Sequence, residues 1–247
     1  MKKVIFSCLL LLVAMGSSKL HAQEEHNYGY FNSVAVGVNV GTTGIGFDVA
    51  TPIGNYLALR AGVDFMPNFS MNTNVDVSAE SNGEPYNGNV NVEGTLKRTS
   101  GNVLLNVYPF KSAGFFVAAG AYFGGDKLVQ ITGHSDELQE LIAQGGEYGI
   151  EIGDYTIPVD KNGNISGGLK VAAFRPYLGL GFGRIVPKKR VNFMFELGVQ
   201  FHKTPKVYSD NGDLGNLMEE ADNDFSDIID KLTLYPVLKF RLSGRII

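Results

Sequence analysis

"VNFMFELGVQF", Val191–Phe201, decides how this chain is read. Phe193, Phe195, Leu197 and Val199 share one parity. Asn192, Glu196 and Gln200, followed by His202, share the other. A repeat of two is the side-chain period of a β-strand. The strand therefore has one apolar face and one polar face, with a carboxylate at the centre of the polar one. A carboxylate inside protein is costly unless it is paired or solvated, so Glu196 must look onto a polar space.

The same alternation recurs in stretches of about ten residues on either side. Ser33–Gly41 sets Val34, Val36, Val38 and Val40 on one face, and Gly44–Thr51 sets Ile45, Phe47 and Val49 against Asp48. Tyr56–Met66 sets Leu57, Leu59, Val63 and Phe65 against Arg60 and Asp64. Gly101–Phe110, Gly114–Gly124 and Arg175–Ile185 repeat the pattern, and Lys231–Ser243 sets Leu234, Leu238, Phe240 and Leu242 against Lys239 and Arg241. With Val191–His202 these make eight candidate strands. Their bulky face is apolar and their other face is small or polar. A soluble ligand-binding barrel reverses that order, whereas a membrane barrel turns its apolar face to lipid and its polar face to the lumen.

The connections support the same architecture. "GTTG", "TPIGN", "PFKSAG" and "VPKKR" are short, while residues 67–100, 125–173 and 203–230 are long. In chain order the long ones are the third, fifth and seventh connections, so they fall on one side. Short periplasmic turns and long extracellular loops are the pattern of outer-membrane barrels. The expected fold is all-β: an eight-stranded, antiparallel, up-and-down transmembrane β-barrel. Within the long connections, "TNVDVSAE" and "GNVNVEGTL" read as a hairpin that extends the barrel wall. "SDELQELIAQGG" reads as a short helix capped by Ser135 and ended by Gly145. "YTIPVDKNGNISGGLKVAAF" reads as a hairpin turning at Asn162–Gly163, and "GNLMEEADNDFSDIIDKL" as an acidic amphipathic helix.

The N-terminus is set apart. Lys2 and Lys3 precede an apolar run from Val4 to Met15, and Ala22 offers a small residue for cleavage. This reads as a signal peptide over residues 1–22, leaving 23–247 as the barrel. The run is short of the ~20 residues that a spanning helix requires. The single cysteine, Cys8, lies inside that run, so the mature chain has no disulfide, thiolate nucleophile or cysteine–zinc site. Loss of three lysines with residues 1–22 takes the formal charge from −4 to −7, which argues against nucleic acid as a partner. The chain has 31 glycines, 16 Phe and 11 Tyr but no Trp, and a mean hydropathy near zero. No second segment is apolar enough for a spanning helix, so residence in a membrane requires a closed barrel.

Parity places Asp48, Arg60, Asp64, Glu196, Lys239 and Arg241 in the lumen, three acids against three bases, with Asn39, Asn106 and Thr233 beside them. Two readings stay open. The charges form ion pairs that fill a plugged interior, or they line a path for small solutes. Eight strands leave an interior just wide enough for side chains to fill. Other motifs are weaker. "GLGFG" lies within a strand and lacks the helix of a phosphate loop. "DKNGN" lacks the later ligands of a calcium loop and reads as a turn. The acids from Glu219 to Asp230 read as a solvated helix face, with weak divalent-cation binding as the alternative. His26, His134 and His202 lack metal-ligand spacing. His134, Ser135 and Glu137 would be the members of a surface hydrolase, but a helix cap accounts for Ser135. No catalytic group and no cofactor is expected.

With the strands placed, "YPFKSAGFFVAAGAYFGG", "FRPYLGLGFGR" and "FMFELGVQFHKTPKV…LTLYPVLKFRLS" resemble small Gram-negative outer-membrane barrels, the eight-stranded CarO and OmpW-like proteins and their Bacteroidetes relatives. The resemblance runs from about Leu104 to Ser243. It implies location in the cell outer membrane. It implies lipid, lipopolysaccharide and the barrel-assembly machinery as partners, and a narrow porin-like channel for small solutes, basic amino acids among them. A non-conducting barrel that works through its surface loops is the alternative. The end of the chain departs from the pattern: such barrels often finish on an aromatic residue, and here Phe240 is seven residues from the end.

Overall fold

Val191–Phe201 is extended along its whole length. Met194, Glu196 and Gln200 are fully buried, and Phe193, Leu197 and Phe201 are exposed. In this computed structural model the described residues are 27–81, 84–111, 113–144, 149–152, 155–212, 215–216 and 233–247. The segment read as a signal peptide, the acidic stretch 217–232 and Gly145 lie outside them.

The elements are β1 (Ala35–Gly41), β2 (Gly44–Ile53), β3 (Leu57–Ser81), β4 (Glu84–Val107), β5 (Phe115–Phe123), β6 (Lys127–His134), α1 (Asp136–Ala143), β7 (Gly149–Ile152), β8 (Tyr155–Pro158), β9 (Asn164–Lys170), β10 (Phe174–Phe182), β11 (Val191–Phe201), β12 (Lys206–Ser209), β13 (Gly215–Asn216) and β14 (Leu234–Arg245). Antiparallel pairing runs β1-β2-β3-β4-β5-β10-β11-β14, and β14 returns to β1 with Val38 opposite Leu242. The sheet therefore closes on eight strands, each overlapping one of the eight alternating stretches of the sequence. Closure leaves these strands without an unpaired edge. The outer wall presents Val36, Val38, Phe47, Val63, Val103, Leu180, Phe193 and Leu242, all exposed, while the opposite parity carries the buried side chains such as Asp48, Arg60, Asn102, Tyr122, Tyr177, Glu196 and Arg241.

At one end the turns are short. There Tyr30 bridges Ile53, Gly54 N donates to Gly29 O, and Ile246 N donates to Val34 O, so both ends of the described chain are stitched to this rim. At the other end β3 and β4 run on past the barrel as a hairpin paired from Leu57↔Val107 to Ser81↔Glu84. The register shifts between Met66 and Phe69, where Pro67 cannot donate a ladder hydrogen bond. The extension then gains strands of its own: β4 pairs β6, β6 pairs β9, and β9 pairs β12.

This added sheet has its own apolar core. Leu138 of α1 is fully buried against Val90, Val92, Ile157, Ile165 and Val207, with Leu141 and Ile142 packed beside it. Ser135 caps α1 by accepting from Leu138 N at 3.3 Å. The turn at Asp160–Asn164 also forms: Asp160 Oδ1 accepts from Asn162 N and Asn164 N at 2.8 Å each, and Gly163 takes φ +74°. The hairpin expected around it does not continue. Beyond an isolated bridge at Val159↔Ile165 the two arms part: β8 joins β7 and β13 in a three-stranded sheet, and β9 inserts between β6 and β12. Turn chemistry specifies the reversal, but the edge of β6 is the better partner for β9. The long connections thus build a folded cap on the barrel.

Two outcomes test the cap. Leu138→Ala should cost about 2–5 kcal/mol locally. Amide exchange of β6 and β9 should quicken while the amides of β11 stay protected. Both ring nitrogens of His134 face acceptor oxygens, Asn164 Oδ1 and Asp136 Oδ1 at 3.0 Å each, so both donate in the protonated ring, and the bond to Asp136 raises its pKa above the ordinary 6.5. A raised pKa means that the contribution is complete below pH 6.5 and is lost as pH rises through the folded-state value. NMR titration should find His134 titrating above 6.5, and Asp136→Asn should bring it down.

Candidate functional site

The site is the barrel interior. Arg60, Arg175 and Arg241 are the bulkiest fully buried side chains among the described residues. Buried arginines demand partners, and the walls supply them across the lumen rather than along the strands.

Arg241 on β14 reaches Asp48 on β2: its Nε donates to Asp48 Oδ1 at 2.9 Å and Oδ2 at 2.8 Å, and its Nη1 donates to Ile185 O at 2.9 Å. Arg60 on β3 meets Glu196 on β11, with Nη2 donating at 3.0 Å to Oε1 and 2.7 Å to Oε2. Those strands stand four places apart in a ring of eight, so this pair ties opposite walls together. Tyr177 OH donates to the same Glu196 Oε1 at 2.5 Å. Lys239 is the cross-strand neighbour of Glu196 on β14, yet its Nζ donates to Asp64 Oδ2 on β3 at 2.6 Å. It also lies 5.2 Å from the Tyr122 ring centroid. The six charged residues assigned to the lumen by parity are thus brought together as three pairs, each side chain at most 2% exposed.

Glycines make the room. A Cβ on Gly37 would meet the Arg241 guanidinium at 2.4 Å, one on Gly46 would meet Asp64 Oδ1 at 2.1 Å, and one on Gly181 would meet the Phe116 ring at 2.5 Å. Gly179 and Gly181 belong to "GLGFG", which here clears space for Tyr177 and Phe116. Above and below the pairs, Tyr108, Phe116, Tyr122, Tyr177 and Met194 complete a packed barrel core.

Three further arginines break the expected balance of acids and bases. Arg184, beside the β10–β11 turn, donates to Asn55 O at 3.0 Å and Phe110 O at 3.4 Å and also reaches Lys111 O, so one guanidinium ties three turns together at the short-turn end. It stacks 4.4 Å from the Tyr108 centroid. At the cap end Arg175 is fully buried. Its Nε donates to Gln200 Oε1 at 3.1 Å, its Nη1 to Gly125 O and Ala172 O, and its Nη2 to Ser100 Oγ at 2.8 Å. Arg98 lies 4.8 Å from the Tyr235 centroid. Sequence parity contained the signal for two of these. Arg175 shares the parity of Tyr177, and Arg98 continues the parity of Ser100 and Asn102 past the expected start of its strand. Arg184 follows the end of β10, where parity no longer applies.

Among the described residues the other candidate groups do not assemble into a site. Among the described residues no group of three or more His, Cys, Asp or Glu residues could hold a metal ion. The hydroxyl of Ser135 is engaged as a helix cap, and both nitrogens of His134 are engaged by Asn164 and Asp136. That leaves no nucleophile–base contact. No described helix is long and apolar enough to cross a membrane, which says nothing of a β-barrel.

No protein-family model matches the chain. No curated protein matches it in sequence. Solved structures do resemble it. Acinetobacter baumannii CarO is 19% identical, with 87% of this chain and 99% of that one covered, at a TM-score of 0.49. Acinetobacter baumannii CarO2 is 22% identical, with 86% and 98% covered, at a TM-score of 0.50. The chain has the CarO barrel fold.

Removing one member of a buried pair leaves the other charge stranded. Glu196→Gln should therefore lower stability by about 3 kcal/mol in urea unfolding. Lys127→Gln, which breaks the exposed 3.3 Å pair with Asp210, should change it by less than about 1 kcal/mol. Equal losses would remove the cross-lumen pair from its structural role.

Proposed function

We propose that this chain is an integral outer-membrane barrel whose lumen is closed at rest, and that it acts at the cell surface through its folded cap. The observation that carries the reading is the Arg60–Glu196 pair. It joins opposite walls, its side chains are 2% and 0% exposed, and Tyr177 locks the same carboxylate. The membrane assignment is supported by the apolar outer wall around a polar, side-chain-filled interior. Residues 1–22 direct export, the short turns face the periplasm and the cap faces outward. Lipid and lipopolysaccharide surround the belt, and the barrel-assembly machinery inserts it. The reading assigns the chain no enzymatic role.

A porin-like path for small solutes is the second reading. It is favoured by the character of the plug, which is ionic rather than apolar and therefore wettable if the pairs exchange partners. The refolded mature chain in a planar bilayer separates the two. The closed reading expects a heat-modifiable barrel with no discrete openings, and steps of conductance once Arg60→Ala and Glu196→Ala are combined. Discrete openings of the unaltered chain that change in Glu196→Gln would replace it with the porin-like one.

A further inference from the structure

We propose that the cap end of the lumen contains a binding site for a small carboxylate, formed by Arg98, Arg175 and Gln200. The inference goes beyond the closed-barrel reading and needs no conduction. All three side chains are buried, Arg98 at 6% exposure and the other two at 0%. Lower in the lumen every cation has a carboxylate, whereas neither Arg98 nor Arg175 makes an ion pair among the described residues. Their direct hydrogen-bond and ring partners are neutral: a glutamine, a serine hydroxyl, backbone carbonyls and a tyrosine ring. Asp64 and Asp126 act on Arg98 and Arg175 through space without forming an ion pair with either.

The donors also exceed the acceptors. Among the described residues, Arg98 Nη1 and Gln200 Nε2 are buried without a hydrogen-bond partner. Unpaired buried donors and unneutralised guanidinium groups are both costly. The groups converge. Gln200 Oε1 and Ser100 Oγ are both held by Arg175. Arg98 Cγ and Ser100 Oγ flank Gly125, at 2.5 Å and 2.9 Å from where its Cβ would stand. Arg98 lies over Tyr235, the cross-strand partner of Gln200. A planar acceptor with two oxygens and one negative charge answers this set of donors, because guanidinium groups match carboxylates in both charge and shape.

The test is thermal unfolding of the full refolded mature chain against sodium acetate, with chloride replacing acetate at fixed ionic strength. The site predicts a saturable rise of the midpoint with acetate. Arg98→Gln should weaken the apparent affinity by about tenfold or more, while Lys127→Gln on the cap surface leaves it unchanged. No saturable rise beyond chloride, or an undiminished response in Arg98→Gln, overturns the proposal. Gln200→Glu guards against a variant that fails to fold, since it supplies the missing carboxylate beside Arg175 at almost constant shape. Its midpoint without acetate should equal or exceed that of the unaltered chain, and its acetate response should vanish. A lower midpoint with the response intact overturns the site.

Discussion

The bond between Arg60 and Glu196 expresses the constraint under which this barrel is built. An eight-stranded barrel has an interior that its own side chains fill. If the outer wall is apolar, strict alternation leaves the inner face to polar and small residues. Those polar residues cannot stay unpaired. The pairs form between walls, since a strand neighbour such as Lys239 for Glu196 would satisfy the charge without spanning the interior. Arg60 and Glu196 reach from opposite sides, and Lys239 is thereby released to Asp64. The glycines follow from this arrangement, because each arginine or tyrosine that crosses needs a wall position with no side chain.

The two ends of the barrel are resolved differently. At the short-turn end, Arg184 collects three carbonyls from two neighbouring turns and stacks on Tyr108, so one residue fastens three turns of the rim. At the cap end the wall grows instead of closing. There Arg98 and Arg175 make no ion pair among the described residues, and the added structure is a second sheet with a separate apolar core. One end is fastened, while the other is extended by the cap.

Much of this was legible in the residues. Period two in stretches such as Val191–Phe201 and Gly44–Thr51 gave the strands and the face of each. The alternation of short and long connections gave the order around the ring. The same parity assigned Asp48, Arg60, Asp64, Glu196, Lys239 and Arg241 to one space, since on a strand position alone sets the side. What parity cannot give is partner choice, which depends on where opposite walls bring side chains in three dimensions. Hence Glu196 could be placed but not matched to Arg60. Nor can it reach past the end of a strand, which is why Arg184 escaped it. The cap was half visible: the Asp160–Asn164 reversal was written locally, but the insertion of β9 beside β6 depends on an edge supplied by residues 30 to 43 positions earlier.

The β3–β4 hairpin passes from the barrel wall into the cap with only a register shift at Met66/Phe69 between them. No loose linker intervenes, and the ladder of paired backbone resumes at once. Wall and roof are therefore one beam with a single crease. A load borne by the cap is carried down the strand that bears Arg60, whereas a tethered domain would dissipate it in its linker.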